Sequence, residues 1–156
     1  MFNIALRITN DRDAAADCAQ EAFVRAYRAL HQFDPAYPLG PWLYRIVTNT
    51  SLNHVQRWHA HETPVEDVPE VVEPGPSGPE DSAIRREEVA EVLAAMAELP
   101  PAYRAALTLR HLQELSYQEV ADALGLPLGT VKTHLHRARA MLRARLVQRE
   151  PRTGAN

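Results

Sequence analysis

Six side chains near the C-terminus, Thr130, Lys132, Thr133, His134, His136 and Arg137, crowd hydrogen-bonding groups and positive charge into little more than two helical turns. Their chemistry is recognition: arginine and threonine can read base edges, and neighbouring basic groups can grip phosphates. His134 and His136 do not make a metal pair, because an i, i+2 spacing on a helix puts their side chains ~200° apart. A second set, Arg45, Asn49, Asn53 and Gln56, forms one outward stripe on another helix. Each amide carries both a donor and an acceptor, which suits base edges. A polar face lying against a neighbouring helix would have the same composition, so both readings stand for this stripe. No Ser/His/Asp set, glycine-rich phosphate loop or metal-ligand spacing emerges, so no enzyme, cofactor or metal is expected.

The first set needs a helix held at a fixed angle to another. Ser116, Tyr117, Gln118 and Glu119 match the S-x-x-E capping box, which starts a helix at Tyr117. That helix ends at Gly125, and Pro127 is expected just inside the next one. From there Val131, Leu135, Ala138, Leu142 and Leu146 make an apolar stripe that leaves the six recognition residues off it. A capped short helix, a glycine turn and a second helix with its polar groups near the start describe a helix-turn-helix. Upstream, an acidic helix from residue 83 to 98 turns Val89, Val92, Leu93 and Met96 inward. Leu99, Pro100 and Pro101 then break it before a helix through Tyr103 and Leu107 to about His111.

The amide stripe needs its own scaffold. Ala15, Cys18, Ala19, Ala22, Phe23, Ala26 and Leu30 recur at three- and four-residue spacing, a helix whose start Asp11 or Asp13 can cap. Asp17, Gln20, Glu21, Arg25 and Arg28 take its opposite face. After a break at residues 33–38, a second helix opens with Pro41 in its first turn and faces Leu43, Ile46, Val47, Thr50 and Val55 inward.

A chain of 156 residues, 46% hydrophobic and 24% charged, is of average globular composition. Its one cysteine, Cys18, rules out an intrachain disulfide. No apolar run approaches the ~18 residues of a membrane span, and no signal peptide opens the chain, so a cytoplasmic protein without membrane insertion is expected. The net charge of −3 conceals an asymmetry. Residues 63–98 hold ten acids against two arginines, whereas residues 99–156 hold nine basic residues against four acids. The basic end is therefore the part suited to a polyanion. Between the two helical units, residues 63–82 contain five prolines and six acids, which predicts an extended, disordered linker. The expected organisation is all-α: a helical unit over 1–62, the linker over 63–82, a helix-turn-helix unit over 83–150 and a short disordered tail over 151–156.

Two blocks, DRDAAADCAQEAFVRAYRAL with FDPAYPLGPWLYRIVTNTSLNHVQR, and LPPAYRAALTLRHLQELSYQEVADALGLPLGTVKTHLHRARAMLRARL, resemble regions 2 and 4 of the extracytoplasmic-function sigma factors. These are the small promoter-recognition subunits of bacterial RNA polymerase. The resemblance implies that Asp17, Gln20 and Glu21, the D-x-x-Q-E of the family, dock on the clamp helices of the polymerase β′ subunit, with the β flap a further contact. It implies that Phe33, Asp34 and the loop to Pro38, with Arg45, Asn49 and Asn53, engage the minus-ten element, a flipped base included. It assigns Thr133, His136 and Arg137 to the bases of the minus-thirty-five element, and Thr130, Lys132 and His134 to its phosphates. Core polymerase, promoter DNA and an anti-sigma factor are the partners it implies, with the acidic linker in the polymerase's RNA path. Three features depart from the family pattern. The chain opens near what resembles the end of region 2.1, the loop reads YPLGPW, and His134 stands where arginine is common. The second block is also similar to the DNA-binding domain of LuxR-type response regulators, so a stand-alone duplex-binding regulator is the alternative.

Overall fold

The computed structural model describes residues 1–61 and 81–149, which form seven helices and no strand. The linker read over 63–82 lies outside these residues apart from its last two positions, and so does the tail over 151–156. The acidic helix opens at Asp81, two residues earlier than expected.

Helices α1 (Phe2–Thr9), α2 (Arg12–Ala29) and α3 (Leu39–His61) pack against one another. The turn between α1 and α2 has Asn10 in the left-handed region at φ 55°, after which the Asp11 carboxylate accepts from the Ala14 amide at 2.6 Å and caps α2. The buried side of α2 is all small: Ala15, Cys18, Ala19, Ala22 and Ala26. Such a seam lets α1, through Ile4, Leu6 and Ile8, and α3, through Val47 and Val55, approach closely. It also corrects the sequence reading, since Phe23 and Leu30 stand 58% and 52% exposed. The narrow alanine strip leaves no room for their side chains at its edge. Cys18 is buried, and burial raises its thiol pKa, so it packs as a small hydrophobe.

Helices α4 (Asp81–Ala97), α5 (Pro101–Leu107), α6 (Tyr117–Leu124) and α7 (Leu128–Arg149) build the second core around Leu99, Leu109, Val120, Val131, Leu135 and Ala138. After α5 the chain makes one wider π turn over Thr108–Leu112. Of the α4 residues expected inward, Met96 is buried and Leu93 half-buried, but Val89 and Val92 are exposed, Val89 within a run, 85–89, that is exposed on every side. The capping box is formed: Ser116 Oγ accepts from the Glu119 amide at 3.2 Å, and the Glu119 carboxylate accepts from the Ser116 amide at 2.7 Å. Gly125 ends α6 at φ 64°. Pro127 sits immediately before α7 rather than inside it, with its carbonyl accepting the first intrahelical bond, from Val131.

Replacing Ser116 by alanine is expected to cost ~1 kcal/mol by thermal unfolding. Hydrogen bonds from the Ser116 amide and hydroxyl hold the Glu119 carboxyl below its ordinary 4.5. The reciprocal bond therefore stabilises the fold above that value and is lost as pH falls below it, so the S116A penalty should shrink in acid.

The two cores meet. Tyr44 of α3 and Leu124 of α6 pack against both, and Ala105 of α5 is buried in the first.

Candidate nucleic-acid interface

Helix α7 exposes Lys132, Thr133, His136, Arg137, Arg139 and Arg143 on its solvent side. At 100° per residue, Lys132, His136, Arg139 and Arg143 share one edge at i, i+4, i+7 and i+11. Thr130, Thr133 and Arg137 share the other, and Thr130 is half-buried. Neither Lys132 nor Arg137 is ion-paired with a carboxylate among the described residues. Their charge is available to a polyanion. Thr133 donates its hydroxyl to the Gly129 carbonyl at 3.1 Å, so outward it offers lone pairs and a methyl group. His134 turns the other way, half-buried with its ring centroid 5.0 Å from that of Tyr103, edge to face, and its Nδ1 buried. The two histidines point apart, as their spacing predicts.

A second cationic cluster escaped the sequence reading. Arg139 donates to the Tyr117 hydroxyl at 3.4 Å and contacts His111 Nε2 at 3.3 Å, while Arg110 lies 5.3 Å over the Tyr117 ring. Among the described residues none of these contacts is to an acid, and the pKa of His111 is lowered by burial and by the charges of Arg139 and Arg110. The pKa of Tyr117 is lowered too, chiefly by its bond from Arg139. Two guanidiniums converging on one phenol repel each other until an anion arrives, and a backbone phosphate would be such an anion. The i, i+7 relation of Arg139 to Lys132 was the signal available in the sequence. The parts contributed by Arg110 and His111 required the fold.

On the first body, Arg45 and Asn53 are exposed on α3 and Asn49 is half-buried between them in helical register. Trp42 falls one turn earlier on the same face, and its ring lies 5.2 Å from Phe33, tilted by 51°. The Asp34 carboxylate accepts from the Ala36 amide at 2.9 Å, so this side chain shapes the loop that carries Phe33. Phe33 and Trp42 thus place an aromatic pair at the head of the amide stripe, and Trp42 is the residue that spacing alone did not single out. On α2, Asp17, Gln20 and Glu21 are exposed together, with Glu21 held by Arg25. Val24 and Tyr27 continue that face, and Tyr27 is 81% exposed.

Among the described residues, a helix-turn-helix whose Lys132 and Arg137 have no carboxylate partner is joined to a second helical body bearing amides, aromatics and an acidic stripe. Residues 1–60 match the family of sigma-70 region 2, and residues 90–142 match sigma-70 region 4. The ECF RNA polymerase sigma factor SigW of Bacillus subtilis is 32% identical, with 94% of this chain and 82% of the relative covered. The RNA polymerase sigma-H factor of Pseudomonas aeruginosa is 36% identical over 89% of this chain and 76% of its own. The ECF sigma factor SigE of Mycolicibacterium smegmatis is 34% identical over 98% of this chain, which spans 60% of that relative's length. The sigma factor RpoE of Bartonella quintana, solved with the anti-sigma factor NepR, has the same fold, with a TM-score of 0.74 at 22% identity over 96% of this chain and 91% of that one. CnrH, solved with the cytosolic domain of CnrY, gives 0.65 at 25% identity, covering 96% and 81%. The chain belongs to the ECF RNA polymerase sigma factors. Among the described residues no helix is long and apolar enough to cross a membrane.

Proposed function

We propose that this chain binds core RNA polymerase and directs it to promoters, reading the minus-thirty-five element with α7 and the minus-ten element with α3 and the Phe33 loop. The observation that carries this reading is the presence of both sigma regions, in order, in one chain. A stand-alone duplex-binding regulator would use the second unit and leave the first without a role. Lys132 and the Arg110, Tyr117 and Arg139 cluster act on phosphates and set the register, while Thr133, His136 and Arg137 face base edges. The packing of His134 on Tyr103 makes it a support for α7, beside the phosphate contact expected from its position. Phe33 and Trp42 supply ring faces for an unstacked base, with Asn49 and Asn53 for its polar edge. Extracting a base costs a few kcal/mol, least where stacking is poor. Docking on polymerase through Asp17, Gln20 and Glu21 joins two weak DNA sites by raising their effective concentration. The role is binding, without catalysis. The relatives solved with anti-sigma factors support such a partner for this chain too.

Run-off transcription with core polymerase and a promoter library tests the proposal: specific initiation is expected only when the chain is present. Arg137→Ala should cost 1–3 kcal/mol, about a 5- to 150-fold loss, on promoters carrying one particular base pair, and much less on others. A uniform loss across sequences in the same titration would reassign Arg137 to phosphate.

A further inference from the structure

The contact between Arg139 and His111 constrains where a proton can sit. A guanidinium only donates, so across the 3.3 Å between Arg139 and His111 Nε2 the ring nitrogen must be the acceptor. His111 is therefore neutral here, with its proton on Nδ1. A proton on Nε2 would set two donors against each other and break the contact. Both side chains are exposed, and Arg139 lies on the edge of α7 that Lys132, His136 and Arg143 continue. An anion lying along that edge meets both groups.

The surroundings press the same way. Burial first, then the charges of Arg139 and of Arg110 on the same π turn, hold the ring's pKa below the ordinary 6.5. The helices packed on this turn are α1, α5 and α6. Helix α6 brings Tyr117, whose hydroxyl accepts from Arg139, with Glu119 engaged in the capping box and Asp122 accepting from Gln118. Helix α5 brings Tyr103, edge-on to His134, and Arg104, bound to the Ala97, Leu99 and Ile8 carbonyls. Helix α1 brings Arg7, and the sequences of α1, α5 and α7 contain no acid. Glu114 is exposed in the loop that follows. The two charges that act on the ring are both cations.

We propose that His111 is a proton-linked ligand for a backbone phosphate of duplex DNA: the phosphate takes over Arg139, the imidazole gains a proton from solvent on Nε2, and both side chains then donate to the same anion. The choice of duplex DNA as ligand rests on the promoter reading above. Cations around the free ring disfavour its charged form, and a bound phosphate beside it favours that form. Binding therefore takes up a proton. By linkage, affinity is flat at high pH, rises as pH falls through the pKa of the bound ring, and levels off below that of the free ring. The contact then grips DNA harder in mild acid, within the range where histidine is the ordinary titrating group.

Fluorescence anisotropy of the full chain with a labelled duplex, at constant ionic strength and from about pH 8 to about pH 6, tests the linkage. Binding should tighten about tenfold across that range, for a promoter duplex and for a scrambled one alike, because a phosphate contact carries no sequence. His111→Gln keeps an acceptor for Arg139 but takes up no proton, and it should cut the gain to about twofold or less. His136→Gln, on the recognition helix, should keep the tenfold gain. A gain that survives His111→Gln, a gain that only His136→Gln removes, or no duplex binding at either pH would overturn the proposal. Ring resonances give a second measurement: the His111 titration, identified by its absence from the glutamine variant, should move to higher pH when duplex is added, and an unmoved midpoint would also overturn it. A chain that initiates specifically but binds with a flat pH profile refutes the proton linkage alone. A His111-dependent profile in a chain that never supports initiation sinks the promoter reading and leaves the phosphate site standing.

Discussion

Replacing Gln20 and Glu21 together by alanine should lower affinity for core polymerase by about a hundredfold and leave the fold untouched. Both side chains are exposed, so no core contact is lost; surface changes of this kind stay within ~0.5 kcal/mol of stability. The expected loss comes from the docking face, where two polar anchors beside Val24 and Tyr27 would each contribute on the order of 1–2 kcal/mol. At ~1.4 kcal/mol per factor of ten, the pair reaches two orders of magnitude. Fluorescence titration of labelled chain with core polymerase measures it directly, and binding of the same variant to a minus-thirty-five duplex serves as the control. Unchanged polymerase affinity would show that α2 does not dock there. A loss of both activities would mean that the helix itself had been damaged.

Leu135→Ala should destabilise the second unit by ~2–5 kcal/mol, the range for deleting a buried leucine side chain. Leu135 is fully buried and sits on the inner face of α7, one turn from Val131 and three residues from Ala138. Its loss opens a cavity between α7 and the rest of the core, so the angle at which α7 presents Thr133 and Arg137 is lost along with the stability. Thermal unfolding should show the second unit melting first, and minus-thirty-five binding should weaken for every sequence alike. That uniform loss distinguishes it from Arg137→Ala, whose effect concentrates at one base step. An L135A chain that melted like the wild type would contradict the packing described for this core.

How much of this was legible beforehand depends on how local each cause is. The capping box at Ser116, the left-handed Gly125, the cap at Asp11 and the periodic Val131, Leu135 and Ala138 all act within a turn or two of chain, and each stands where spacing put it. The misplacements have a common origin. Phe23 and Leu30 are apolar residues at the margin of a helical stripe, and periodicity assigns them inward without knowing how narrow the seam is. Val89 and Val92 follow the same rule on a part of α4 that the other described residues leave exposed.

By itself, then, the order of residues determined the local signals of six helices, α2 to α7, the helix-turn-helix and the cationic end, whereas α1 carried no cap or stripe that the reading used. These follow from backbone preference, charge and a 3.6-residue period, which need no partner to act. Only the tertiary structure decided that His134 leans on Tyr103, that Arg110, His111, Tyr117 and Arg139 converge, that Phe33 meets Trp42, and that Arg104 ties α4 to α1. Each of those contacts joins residues from different helices or from the loops between them, and which side chains meet there is set by how the cores pack rather than by anything a local stretch of sequence encodes.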